Sequence, residues 1–174
     1  MANAAAYSRE PAAWTRRPVD EVAFRNGLAK LASGVAIVAC WADGQPRGLL
    51  VNSLTGLSTQ PPRLLFCVRK AAGAHAALLK AEVISVSLLD EADREEAERF
   101  ASGERAAERF LDEEWRLDAG GPPERRNALA AFHGAVRSRM DGGTHTVFIL
   151  DVSDAKARDA DPLLYFERDF RKLA

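Results

Sequence analysis

The spacing of apolar and polar positions changes character several times along the chain. After Asp20, Phe24, Leu28 and Leu31 recur at i, i+4 and i+7, which predicts a capped helix with one face packed inward and a stop at Ser33-Gly34. Val35 to Trp41 is nearly all apolar and reads as a strand, with Asp43-Gly44 as the hairpin turn that follows. The stretch from Gly48 to Thr59 mixes Leu and Val with Asn52, Ser53, Thr55 and Ser58, and runs into Pro61-Pro62. Beyond it, Arg63 to Val68 is again almost entirely apolar. Two strands joined by a stiff turn are expected here.

The second strand opens into Arg69-Lys70-Ala71-Ala72-Gly73, followed by a short predicted helix over Ala74 to Ala81 and a strand over Val83 to Leu89. Asp90 to Phe110 alternates acid and base. Within it Ala97, Phe100 and Ala101, then Ala107, Phe110 and Leu111, fall at i, i+3, i+4, which predicts two short amphipathic helices broken near Ser102-Gly103. Its charges read as a solvated face, with Arg99 and Phe100 the residues left for a special role. Gly120 to Pro123 is a loop. Ala131 to Met140 and Thr144 to Val152 form a hairpin through Asp141-Gly142-Gly143, and the run Val147 to Leu150 is apolar on both faces, as burial from two sides or at a dimer interface requires. Leu163 to Phe166 is a last strand before a charged end.

Composition narrows the function classes. The 174 residues are 47% hydrophobic and 28% charged, enough for one domain with a substantial core, expected from Pro18 to Ala174 after a mobile tail over residues 1–17. A formal net charge of −1 gives no basic field, which argues against nucleic acid and an anionic membrane as partners. No apolar run is long enough to span a bilayer, and Arg9, Glu10, Arg16 and Arg17 interrupt any secretory core, so a cytoplasmic protein is expected. Cys40 and Cys67 sit in apolar strand-like stretches without metal-ligand spacing and are expected as buried, reduced thiols.

From the residues alone, the small polar side chains of the 48–59 stretch and the cations before the Ala71-Ala72-Gly73 loop suit a flat, hydrogen-bonding ligand with a phosphate tail. Outward polar residues of a half-buried strand give the same pattern at Ser53 and Thr55, and a lone His145 after Gly-Gly on a hairpin is more often a satisfied surface or core side chain.

The ordered set FRNGLAKLASGVAIV, GLLVNSLTGLSTQPP, FCVRK, ERFAS, GGTHTVFILDV and PLLYFERDF resembles the flavin reductase family, the small NAD(P)H-dependent components of two-component flavin monooxygenases, from about Val22 to Phe170. The resemblance implies a mainly β fold, an antiparallel Greek-key split β-barrel with peripheral α-helices, and a homodimer. It implies FMN or FAD with NADH or NADPH, and a separate flavin-dependent monooxygenase that receives reduced flavin. Carried over by position, it sets Gly48, Leu49, Leu50, Val51, Asn52, Ser53, Leu54 and Thr55 along the isoalloxazine, and Arg69, Lys70, Ala72 and His75 around the ribityl phosphate. Arg99 and Phe100 of ERFAS and the closing Tyr165 and Phe166 are brought to the same site.

His145 is placed by the resemblance at the nicotinamide side as the catalytic-site histidine, although Thr144 stands where the family has Asp. His133 is read as structural. Hydroxyl residues usual in the phosphate loop are replaced here by Ala71, Ala72 and Ala74, which leaves the anion to backbone amides and cations. Gly56 and Arg63 also depart from the pattern. The implied reaction is hydride transfer from nicotinamide C4 to flavin N5, and the alternatives on the same barrel are a non-catalytic flavin-binding protein and a pyridoxamine-phosphate-oxidase-like oxidase.

Overall fold

A computed structural model describes residues 18–118 and 120–173. The tail expected over residues 1–17 lies outside the described residues. Asp20 caps α1 (Glu21–Leu28), its carboxylate accepting from the amides of Val22 and Ala23, as its sequence position predicts. The helix ends earlier than expected, because Ala29 to Leu31 close it and Ser33–Gly34 form a strand, β1. The inward-packed face is also corrected. No residue of α1 is buried, and Phe24 and Leu28 are about half exposed; among the described residues, polar ties such as Arg168 to Asn26, and Lys30 just beyond the helix to Glu167, link this part of the chain to the rest.

Next come β2 (Ala36–Ala42) and β3 (Gln45–Val51), a hairpin whose turn residues Asp43 and Gly44 both have positive φ, 51° and 71°. The stretch expected as one strand then breaks. Asn52 to Leu54 are not strand, and β4 (Thr55–Thr59) pairs instead with β5 (Pro62–Arg69) across Gln60-Pro61. There follow α2 (His75–Lys80), β6 (Val83–Leu88) and, after one 3-10 turn at Glu91–Asp93, α3 (Arg94–Ala101). The second amphipathic helix expected before Phe110 is a single 3-10 turn, Ala106–Glu108. Two-residue strands β7 (Trp115–Arg116) and β8 (Glu124–Arg125) lead to the long hairpin β9 (Ala130–Asp141) and β10 (His145–Ala157), and the end of the chain adds β11 (Leu164–Phe166) and β12 (Asp169–Arg171).

Seven of these strands form one antiparallel sheet in the order β3-β2-β6-β9-β10-β5-β4. Strands adjacent in sequence, β3 and β4, thus lie at opposite ends of the sheet. Their link is fastened to β5, since Ser53 Oγ accepts from the Cys67 amide at 2.9 Å and donates to the Cys67 carbonyl at 3.2 Å. The sheet therefore curls into a Greek-key split barrel with the helices outside. Its interior draws Val38 and Cys40 from β2, Phe66 and Val68 from β5, Ile84 from β6 and Phe148 from β10, with Leu78 of α2 plugging one end. Phe66 and Phe148 face each other in register and stack at 5.2 Å.

β2 is buried on both faces. Its other side, Val35, Ile37 and Ala39, packs under Ala97 and Phe100 of α3, Phe110, Trp115 and Leu163. Phe100, Phe110 and Trp115 form a three-ring cluster with centroids 4.6 to 5.3 Å apart. The solvated reading of the α3 charges is corrected for two residues. Asp93 and Glu96 are buried, Asp93 accepting twice from Arg125, at 2.9 and 2.7 Å, and Glu96 accepting from Trp115 Nε1 at 2.9 Å and from Arg99.

Candidate active site

Because β3 ends the sheet, one edge of its backbone has no ladder partner, and strand-edge amides and carbonyls there must find another acceptor or donor. That edge faces a cavity of about 540 Å³, within the roughly 300–1,000 Å³ range of small-molecule sites. One wall is Leu49 to Ser53. Phe100 and Ala101 at the end of α3 and Cys67 of β5 also line the cavity. The turn Ala71–Gly73 and the side chains of Arg69, Arg109 and His145 contribute to the same lining.

The turn supplies an anion grip without hydroxyl groups. The amides of Ala72 and His75 bond back to the Arg69 and Ala72 carbonyls, whereas those of Ala71 and Gly73 have no backbone acceptor among the described residues. Two free amides in one tight turn make a concave donor site. Arg69 is exposed, and its guanidinium has neither hydrogen bond nor ion pair among the described residues.

Arg109 was not among the residues expected from the sequence. Its guanidinium donates to the carbonyls of Gly48 (2.9 Å), Ser102 (2.6 Å) and Arg99 (3.3 Å) and lies 5.3 Å from the Phe100 ring centroid. Burial lowers its pKa from the ordinary arginine value, yet an arginine so placed remains a cation, and of its five N–H groups two are left for a ligand. The adjacency Arg109-Phe110 after the Ser102-Gly103 break was the available signal, a cation beside the aromatic that anchors its loop.

Leu49, Leu50, Val51, Asn52, Ser53, Arg69, Ala72, Phe100 and His145 line the cavity. Ser53 does so with its hydroxyl already engaged by Cys67, so its main chain is what it offers a ligand. His145 pairs in register with Arg69, and its Nδ1 lies 2.9 Å from Thr144 Oγ1.

The other residues expected at the site do not line this cavity. Lys70 is drawn to Asp141 at 2.8 Å, which together with the Gly143 amide holds the Asp141 carboxyl below the usual range. His75 Nε2 is bonded to Thr146 Oγ1 at 2.9 Å, and Arg99 is taken by Glu96, Glu95 and Asp112. Leu54 packs on the barrel interior and Thr55 is exposed on β4. Gly48 borders the next cavity along β3, Tyr165 a separate one shared with Leu50 and Asn52, and Phe166 lies under Lys30. Cys67 is corrected too, being half-buried in the cavity rather than enclosed, while Cys40 is fully buried and its thiol is pushed up to about 11 by burial.

A free strand edge, apolar Leu49, Leu50 and Phe100, and a turn with two free amides beside arginines are the features that a flat ring system carrying a phosphate would require. A sequence model of the flavin reductase like domain family matches residues 28–174, and the chain belongs to that family. It is 34% identical over 154 residues to the reductase component of a 4-nitrophenol 4-monooxygenase/4-nitrocatechol 2-monooxygenase of Rhodococcus opacus, covering 88% of this chain and 82% of that one. It is 34% identical over 157 residues to FMN reductase (NADH) RutF 1 of Methylorubrum extorquens, covering 90% and 78%. Among solved structures, the NADH:FAD oxidoreductase SgcE6 of Streptomyces globisporus superimposes with a TM-score of 0.81 at 30% identity, covering 93% and 98% of the two chains.

Proposed function

We propose that the chain is an NAD(P)H-dependent flavin reductase that supplies reduced FMN or FAD to a separate monooxygenase. The observation that carries this is the cavity along the free edge of β3, where strand-edge backbone, apolar walls, and the Ala71–Gly73 turn with Arg69 and Arg109 meet in one space. When bound, flavin supplies N5 as the acceptor of a hydride from C4 of reduced nicotinamide. The main chain of Leu49 to Ser53 hydrogen-bonds the polar edge of the ring, and Leu49, Leu50 and Phe100 cover its faces. The free amides of Ala71 and Gly73 and the two arginines hold the phosphate. His145, steered by Thr144, stands at the rim to position the nicotinamide, and no side chain has to move a proton in the hydride step. Ring stacking at near-attack distance and exclusion of water are the protein's contribution to rate.

Several smaller statements belong with this function. A homodimer would cover Phe24, Leu28 and the neighbouring exposed Val22 and Leu31, an apolar group that the chain itself leaves to water. Two unpaired cysteines suit a reducing cytoplasm. No helix among the described residues is long and apolar enough to cross a membrane. The test is purified protein with NADH or NADPH and excess FMN or FAD, where the visible absorbance of oxidised flavin is expected to bleach catalytically. Bleaching no faster than without protein, for every pairing, refutes the function. Sedimentation at several concentrations tests the dimer, which fails if the mass stays that of one chain.

A further inference from the structure

Lys70 stands next to Arg69 in the chain, and the fold sends the two cations to different places. Arg69 lines the cavity and Lys70 does not. β5 ends at Arg69, opposite His145, so the turn at residues 142–144 that leads into His145 projects past the end of that strand. Lys70 spans the turn. Its amide donates to the Thr144 carbonyl at 3.0 Å, and its ammonium donates to Asp141 Oδ1 at 2.8 Å. The same carboxylate oxygen accepts from the Gly143 amide at 2.7 Å, and the Gly142 amide donates to the His145 carbonyl at 2.8 Å. One residue past His145, the buried Thr146 hydroxyl lies 2.9 Å from His75 Nε2. His145 is thus bracketed in sequence by two side-chain ties, at Asp141 and at Thr146, and both lead to the segment at residues 70–75.

We propose that Lys70 is a positioning residue for the nicotinamide step, holding the His145 turn through Asp141 and Thr144, with the His75–Thr146 bond as a second anchor on the other side of the histidine. This rests on the function proposed above, in which His145 serves the nicotinamide. The two neighbouring cations then divide the work. Arg69 is free for the phosphate, whereas the ammonium of Lys70 is already balanced by a carboxylate and adds little attraction for a further anion. Thr144, whose hydroxyl lies 2.9 Å from His145 Nδ1, is the residue whose carbonyl the Lys70 amide holds, so the tie reaches the imidazole through a single residue. Lys70 and Asp141 are 40% and 74% exposed, which limits the effect of breaking their pair alone. Thr146 is buried, and its bond to His75 is the stiffer of the two.

The experiment measures FMN binding by flavin fluorescence and anaerobic stopped-flow reduction of pre-bound FMN by NADH. The proteins are the parent, Lys70→Gln, Lys70→Arg, Thr146→Val, the combined Lys70→Gln/Thr146→Val variant and His145→Ala, with far-UV circular dichroism confirming each fold. Lys70→Gln is expected to raise the NADH concentration for half-maximal reduction about threefold and the combined variant about tenfold, with FMN affinity within about twofold of the parent's in both. Lys70→Arg keeps the cation and should keep the parent's NADH dependence. A merely structural role would move flavin affinity as well, so the split between the two constants carries the test. Weaker FMN binding with unchanged NADH dependence overturns the proposal and returns Lys70 to the phosphate grip. An NADH dependence altered by His145→Ala but by neither Lys70→Gln nor the combined variant also overturns it. If His145→Ala itself leaves the NADH dependence unchanged, the nicotinamide assignment of His145 falls, and the positioning role falls with it. Should the Thr146 variants fail to fold, Lys70→Gln decides alone, since its side chain lies at the surface.

Discussion

Replacing Gly48 by Ala tests how the two halves of the site are held together. Gly48 has ordinary backbone angles, so the issue is space rather than φ. A Cβ there falls 2.8 Å from the Val38 carbonyl oxygen, 3.0 Å from Phe110 Cζ and 3.2 Å from Ala39 Cβ. The first and third neighbours belong to the paired strand β2 and are fully buried, so they cannot retreat without breaking the sheet. Phe110 is the remaining neighbour able to yield, but its ring is set edge-on to Phe100 at 5.0 Å and to Trp115 at 4.6 Å, and its backbone is held at φ 62°. Overpacking of this kind costs about 1–3 kcal/mol. At about 2–4 °C per kcal/mol for a chain of this size, the midpoint should fall by roughly 2–12 °C at fixed protein concentration. Movement of Phe110 also drags Arg109 off the Gly48 carbonyl, so FMN affinity should fall while riboflavin, which lacks the phosphate, is less affected. Gly56→Ala is the control, since a Cβ there meets nothing within 4 Å and its φ is not positive; its midpoint should stay close to the parent's. Thermal melts followed by circular dichroism decide the matter. Indistinguishable midpoints for the two variants would refute the close-approach argument.

Three further outcomes follow from the same geometry. Arg69→Ala should weaken FMN by about tenfold, the low end of a charge-assisted contact at an exposed position, and leave riboflavin unchanged; equal affinities for FMN before and after the substitution remove Arg69 from the phosphate grip. In stopped-flow reduction with flavin already bound, His145→Ala should raise the NADH requirement or slow reduction while flavin affinity stays within about threefold, and a variant that loses flavin but reduces the remainder normally would move His145 out of the nicotinamide side. At pH 8 a thiol reagent should modify Cys67 and spare Cys40, whose pKa of about 11 keeps it protonated and whose side chain is buried. Saturating FMN should protect Cys67, and unfolding in urea should expose both; modification of Cys67 at the same rate with and without FMN would place the flavin elsewhere.

The long strands β2, β5, β6, β9 and β10 and the hairpins β2–β3 and β9–β10 were legible from periodicity and turn residues, whereas the short strands β1, β7, β8 and β12 and the pairings between strands distant in sequence were not. The all-apolar run Val35 to Trp41 announces burial on two faces, and β2 has a core on each side. The run from Gly48 to Thr59 gives no local sign that it breaks at Asn52, because the break is made by Ser53 bonding to Cys67 in another strand and by the two halves joining opposite ends of the sheet. The α1 pattern announces an apolar face but not its partner, which is absent from the described residues. Asp93 and Glu96 show a related failure. Their spacing with Arg94 and Arg99 is that of a solvated helix, and what buries them, Arg125 and Trp115, comes from the β7–β8 region of the chain.

The site was legible where it is made of strand backbone and obscure where it is made of loop. Leu49 to Ser53 were singled out by the family resemblance rather than by their own pattern; Leu49 to Val51 lie on β3, which ends the sheet, and Asn52 and Ser53 follow it. Side-chain cations were harder to place, since a cation near a site is useful only if no carboxylate reaches it first. Lys70 and Arg99 have carboxylates within reach, from Asp141 and from Glu95, Glu96 and Asp112, and are consumed by them. Arg109 instead meets three backbone carbonyls, which hold its position without cancelling its charge. Together with the amides of Ala71 and Gly73, this is how a loop of alanines would hold the phosphate of the proposed ligand: the donors are main-chain groups fixed by the turn, and Arg109, which lines the same cavity, supplies the compensating charge.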